Sequence, residues 1–290
     1  MNVRIFLLIA LISLGTSAKE ADLKPTISGL FDVGGFNLYL ECFQHQNSKP
    51  QLIIESGFGL WGSDGVWLEN IERLKNDFNV CLYDRSGLGK SESGPVPFTV
   101  NNMANWLRNL LQTADIKPPY YFAGHSYDSY IINSYNNQFP DEVLGAVLID
   151  PAPFGFFYTM AIRWPKDFKT ENKQLRRQMN FELTVRNPLF ERVPEKVDLM
   201  KSYQELSNAV SFGDKPVITL RSKQNGERFD SPDVPDDIAR KMDKLFDNAD
   251  SYFKGLSNNS QVFYSNSKKH NLHIHDSDLV VESIKKLLRK

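Results

Sequence analysis

Six short apolar runs, each long enough for one strand, recur along the chain with helical stretches between them. They are QLIIES from Gln51, NVCLYD from Asn79, YYFAGH from Tyr120, AVLID from Ala146, PVITL from Pro216 and QVFYSN from Gln261. Strands that alternate with helices imply an α/β fold, with a parallel sheet covered by helices on both faces. The intervening stretches agree, since Asn101 to Ala114 sets Met103, Trp106, Leu107, Leu110 and Leu111 at helical spacing. Tyr127 to Phe139 and Asp276 to Leu288 read as helices too. Ahead of the alternation, ISGLFDV and FNLYLECF flank Gly34-Gly35, a pair that supplies the positive φ of a tight turn. The chain therefore enters its fold through a β-hairpin.

Two stretches stand outside this rhythm. Arg4, the apolar run Ile5 to Gly15 and the small residues Thr16-Ser17-Ala18 form a signal-peptide pattern. The run is about half the roughly 20 residues a membrane-spanning helix needs. Residues 1–18 are thus expected to be removed, leaving a secreted or periplasmic chain with no membrane span. The second stretch, Pro151 to Lys215, has no convincing strand and is rich in aromatic and charged residues. It reads as a helical insertion, residues 151–215, between two parts of one core, residues 19–150 and 216–290. Its Phe154, Phe156, Phe157, Tyr158, Met160 and Trp164 are of kinds more often found in a core than in contact with substrate. Export implies an oxidising compartment, in which Cys42 and Cys81 are either a disulfide or two buried thiols on neighbouring strands. A net charge of −1 gives no basic excess for nucleic acid or an anionic membrane, so a small molecule is the expected partner.

Chemistry concentrates at three strand ends. In YYFAGHSYDSY an apolar strand ends in Gly124-His125-Ser126-Tyr127 and runs directly into a helix, the context in which a sharp turn lifts a serine above the sheet edge. In IIESGFG another strand ends in a glycine-rich loop, where the Phe58 N–H, paired with the Tyr127 N–H, can meet a developing oxyanion. Near the C-terminus His270, His273 and His275 share a loop, and a serine nucleophile needs such a base. The histidine spacing also invites a metal, but no convincing cysteine or carboxylate ligands accompany it, so neither metal nor cofactor is expected.

IIESGFG, CLYDRSGLGKS, FAGHSYDS, VLIDP and HNLHIHDSDLVVESI occur in the order in which the α/β-hydrolase superfamily carries its motifs, and the chain resembles that family from residue 27 to 290. The resemblance implies a mostly parallel eight-stranded sheet with helices on both faces and a helical cap at 151–215. It implies Ser126 as nucleophile, His270 as base, and Phe58 and Tyr127 as oxyanion donors. The orienting acid follows either of two strands, which makes Asp150 the expected acid and Asp230 its alternative, with Glu227 a third candidate. Asp84, Arg85, Gly87 and Gly89 match a turn whose role is expected to be structural, Arg85 tying loops together.

The implied reaction is hydrolysis of a carboxylic ester, lactone or lipid-like ester through an acyl-enzyme. One departure argues for a different class. Where the family's elbow ends in small residues, this chain has Asp128-Ser129, and a carboxylate there is expected to burden the turn unless it faces solvent or pairs with a cation. The competing reading is a catalytically impaired protein that keeps the fold to bind a ligand. Oligomeric state is not legible.

Overall fold

A computed structural model of the chain describes residues 23–43, 46, 48–189 and 195–289; the expected signal segment, residues 1–18, lies outside them. Strands β1 (Ile27–Asp32) and β2 (Asn37–Phe43) form the hairpin. The turn closes through Val33 N–H donating to Phe36 O at 2.9 Å, with φ of +117° and +100° at Gly34 and Gly35. The apolar runs become β3 (Gln51–Glu55), β4 (Asn79–Tyr83), β5 (Tyr120–His125), β6 (Val143–Ile149), β7 (Pro216–Arg221) and β8 (Asn259–Tyr264). All eight strands join one sheet in the order β1-β2-β4-β3-β5-β6-β7-β8. Only the β1–β2 and β2–β4 pairs are antiparallel.

Helices cover both faces, as an apolar parallel sheet requires. On one face α2 (Val100–Thr113), α3 (Asp128–Gln138) and α8 (Ala249–Lys254) bury Leu107, Leu111, Ile132, Tyr135 and Phe253 against Ile53, Phe122, Ala146 and Leu148. On the other, α1 (Leu68–Leu74) and α10 (Ser277–Lys286) bury Ile71, Leu74, Val281 and Ile284 against Leu52, Ile54, Val147 and Ile149. Consecutive strand residues thus serve opposite faces, the period of two that a pleated strand imposes. Cys42 and Cys81 sit opposite each other on β2 and β4 and form a buried disulfide.

Between β6 and β7 lie α4 (Phe156–Ile162), α5 (Lys173–Thr184) and α6 (Leu199–Leu206). The remaining helices are α7 (Asp236–Asp247), before α8, and α9 (Leu272–His275), before α10. Strand order locates the site. From β3 the chain steps to β4 on one side, then crosses back to place β5 on the other. A crevice forms at the carboxyl ends of strands where the winding reverses, and here those ends are Glu55 and His125.

Candidate active site

Ser126 occupies the turn between β5 and α3 with φ of +59°, in the left-handed region that a non-glycine residue enters at a cost of about 1–3 kcal/mol. The surrounding backbone holds it there. Ser126 N–H donates to Ile149 O at 2.9 Å, and its carbonyl accepts from Ala152 N–H at 3.0 Å and from the Ser129 hydroxyl at 3.1 Å. Glycine at 124 is a steric necessity, since a Cβ there would stand 2.6 Å from Ile132 Cδ1 and 2.9 Å from Asp128 Cβ. Glycine at 57 is likewise required, because a Cβ would meet His125 Nδ1 at 2.7 Å. The Gly57 loop thereby lies against the elbow, and the rings of Phe58 and Tyr127 are in edge contact at 5.3 Å. Among the described residues neither the Phe58 nor the Tyr127 N–H has a protein acceptor.

His270, in the loop after β8, turns Nδ1 to Asp150 Oδ2 at 2.6 Å. Asp150 follows β6 with φ of +42° and accepts from Ser222 N–H at 2.8 Å and the Ser222 hydroxyl at 2.6 Å. Its carboxylate is thus held by both the backbone and the side chain of Ser222. Asp230 is elsewhere: with Glu182 it clasps the buried Arg163, whose Nη2 donates to Asp230 Oδ1 at 2.9 Å and whose Nε donates to Glu182 Oε2 at 2.6 Å. Glu227 pairs with Lys268 at the surface. Of the three candidate acids, only Asp150 meets His270.

Two further histidines nearby, His273 and His125, are packed against neighbouring rings. His273 stacks on Trp67 at 4.4 Å, and burial lowers its pKa to about 4. His125 donates its Nε2–H to His270 O, 3.1 Å away, and burial drives its pKa well below the usual value of 6.5. No cluster of metal-ligating side chains occurs among the described residues.

Arg85 is buried beneath the Gly57 loop among three buried carboxylates. Its Nε donates to Glu195 Oε1 at 2.7 Å and its Nη1 to Asp128 Oδ1 at 3.1 Å, while Glu55 Oε2 stands 3.6 Å from Nη1. Its remaining hydrogens reach the carbonyls of Ser56, Gly57 and Leu60. Burial opposes every charge here. It lifts Glu55 to about 7 and Asp128 well above the carboxylate range, with Arg85 pulling both the other way. Asp128 meets the second of the two conditions its sequence expectation set for relief: it does not face solvent but pairs with a cation, accepting from Arg85, and it also accepts from the His125 N–H at 3.2 Å. Arg85 does tie loops together. Sequence reasoning missed Glu195 and Ser222, neither of which lies in a recognisable motif.

The family model for the alpha/beta hydrolase fold matches residues 50–269. A Bacillus subtilis protein, the uncharacterized YqjL, is 28% identical over 246 residues, which is 82% of this chain and 83% of that one. Among solved structures, the enol-lactonase from Burkholderia xenovorans superposes with a TM-score of 0.57 at 14% identity, covering 90% of this chain and 100% of that chain. An epoxide hydrolase from Bacillus megaterium gives 0.59 at 13%, with 90% and 100% covered. At such identities the likeness is one of fold. No helix among the described residues is long and apolar enough to cross a membrane.

Proposed function

Since the chain belongs to the alpha/beta hydrolase fold family and is a hydrolase, its chemistry belongs at the carboxyl edge of its sheet, and we propose that Ser126, His270 and Asp150 there cleave a carboxylic ester, lactone or lipid-like ester. The observation that carries this reading is a strained serine at the strand-to-helix turn beside His125, whose Nε2 meets His270 O at 3.1 Å, together with a His270 Nδ1 held 2.6 Å from Asp150. In the proposed reaction Ser126 Oγ attacks the carbonyl carbon as His270 Nε2 takes its proton, and the carbonyl oxygen becomes an oxyanion. The Phe58 and Tyr127 N–H groups receive it. Collapse expels the alcohol with the proton from His270, leaving an acyl-enzyme. Water, deprotonated by the same nitrogen, then releases the acid and restores the serine. Asp150 fixes the tautomer and stabilises the imidazolium. The enol-lactonase activity named for the Burkholderia neighbour is consistent with such a substrate.

Residues 151–215 are read as a cap, to which Phe157 contributes a ring 5.9 Å from Phe58 and 5.6 Å from Tyr127. Residues 1–18 are read as an export signal, a reading supported by the Cys42–Cys81 disulfide, since such bonds persist in oxidising compartments. A fluorophosphonate probe with an ester and lactone panel tests the function. Covalent labelling that disappears in Ser126→Ala, together with turnover of at least one ester or lactone, is the expected result. An unlabelled, inactive wild-type protein would make this a ligand-binding member of the fold, and epoxide turnover that survives Ser126→Ala would move the nucleophile elsewhere.

A further inference from the structure

We infer that Glu195 is a positioning residue for the oxyanion hole: from the segment between β6 and β7 it sets the direction of the Phe58 N–H, acting through Arg85 and Gly59. The inference rests on the serine-hydrolase reading above.

A trans peptide is planar, so the Gly57 carbonyl and the Phe58 N–H belong to one rigid unit and point in opposite directions. Fixing that carbonyl fixes the N–H. The Gly57 oxygen accepts from Arg85 Nη2 at 2.8 Å and from Leu60 N–H at 2.8 Å. The next plane carries the Phe58 carbonyl and the Gly59 N–H, and Gly59 N–H donates to Glu195 Oε2 at 2.7 Å. Both peptide planes flanking Phe58 are therefore held. Without these contacts a loop with glycine on each side, one of them at φ of +73°, has wide conformational freedom.

Glu195 works on both planes at once. Its carboxylate takes Arg85 Nε at 2.7 Å and Arg85 Nη2 at 2.9 Å, a two-point grip on the edge of the guanidinium that reaches Gly57. Asp128 and Glu55 engage the opposite edge, through Nη1. Removing Glu195 would leave carboxylates on that side only and draw Arg85 away from the Gly57 carbonyl. The segment bearing Glu195 is itself fixed, because Phe98 and Val197 form a parallel bridge, with Phe98 N–H donating to Lys196 O at 3.1 Å and Asp198 N–H to Phe98 O at 2.8 Å. Such pre-set donors act on the transition state and cost no reorganisation when charge develops.

Glu195→Ala and Glu195→Gln test this, measured well below each variant's melting midpoint. Losing an oxyanion donor outright costs about 100- to 1000-fold in rate, and losing its aim is expected to lower kcat by roughly ten- to a hundredfold in Glu195→Ala, with KM within about twofold. A boronic acid that mimics the tetrahedral intermediate should weaken by the same factor, while the carboxylic acid product binds unchanged. Glu195→Gln keeps an acceptor for Gly59 but no charge for Arg85, so its loss should be smaller and in the same direction; it carries the test should the alanine variant not fold. A folded variant with wild-type kcat and boronate affinity overturns the inference, as does an equal loss of product affinity, which would mark general collapse of the site. Wild-type protein that resists the fluorophosphonate sinks the triad and this inference together. Normal wild-type labelling with unimpaired variants sinks this inference alone.

Discussion

Two aspartates of this chain are each held by a basic side chain, yet removing their charges should produce different symptoms. Asp150 faces His270 and Ser222, whereas Asp230 is buried against Arg163 with Gln178 at 2.9 Å. Asp150→Asn is expected to lower kcat by about a thousandfold or more through the wrong imidazole tautomer, with little change in melting. Asp230→Asn should leave kcat nearly intact and cost a few kcal/mol of stability, because it leaves a buried guanidinium short of charge. Kinetics and thermal melts on both variants decide, and an activity loss confined to Asp230→Asn would reverse the assignment. Asp128 calls for a third pair of variants. Crowding alone would make Asp128→Gly stabilising, but that change also strips a partner from Arg85 and orphans the His125 N–H. Each hydrogen bond to a charged group contributes about 1.5–3 kcal/mol, so losing both outweighs the about 1–3 kcal/mol that relief of a crowded turn returns, and Asp128→Gly should melt lower than wild type. Asp128→Asn should lie close to wild type, since three carboxylates already compete for one arginine. An Asp128→Gly protein that melts higher would restore the view of Asp128 as a burden.

The segment between β6 and β7 divides its aromatics by duty. Phe157 packs among Phe58, Tyr127 and Tyr130, whereas Trp164 is buried with Phe168, Leu175 and Val234 and donates its Nε1–H to Glu182 at 2.7 Å. Phe157→Ala should raise kcat/KM for a bulky acyl group over acetyl by about tenfold or more, tenfold being the scale of a single methylene in an apolar pocket. Trp164→Ala should instead cost about 3–5 kcal/mol of stability with the substrate profile unchanged, contrary to a specificity role for that tryptophan. Melts and an acyl-chain series separate the two, and a shifted profile in Trp164→Ala would put the pocket on the wrong side. The elements themselves were largely legible, because a strand buried on both faces writes a continuous apolar run. Helix α2 spans Val100–Thr113 where spacing predicted Asn101 to Ala114, and α10 spans Ser277–Lys286 where it predicted Asp276 to Leu288. The positions of Ser126 at a strand-to-helix turn and of His270 in the loop after β8 were legible from the strand ends. Glu195 was not, because its partner Arg85 lies 110 residues away and no local pattern marks a residue by a contact that only tertiary folding creates. Asp230 was kept as the alternative to the expected Asp150 for the same reason, since which of two acids beyond a strand end reaches His270 is decided only by tertiary folding.

At the scale of the whole molecule the buried titratable groups pull stability in opposite directions with pH. His273 is lowered by burial from 6.5 to about 4, so the unfolded chain binds more protons across that window; its contribution is present above 6.5 and is lost as pH falls toward 4. Glu55 is raised by burial from 4.5 to about 7, so the folded chain binds more protons there; its contribution is complete below 4.5 and is lost as pH rises through 7. The two trends offset each other between pH 4.5 and 6.5. Above that range Glu55 stands out, since in the folded protein it must ionise beside Asp128 and Glu195 with Arg85 as the shared cation and the Tyr83 hydroxyl as a neutral donor at 2.8 Å. Glu55→Gln keeps an oxygen to accept from Tyr83 and removes the titration. Whatever constant offset the amide introduces, the variant should gain stability relative to wild type as pH is raised from 5 to 8, by on the order of 1–3 kcal/mol, the energy of a shift of one to two or so pKa units. Urea denaturation of both proteins across that pH range reads the difference directly. Curves that stay parallel would mean that Glu55 ionises as readily in the folded chain as in the unfolded one, and that the Arg85 cluster carries its three carboxylates without holding a proton.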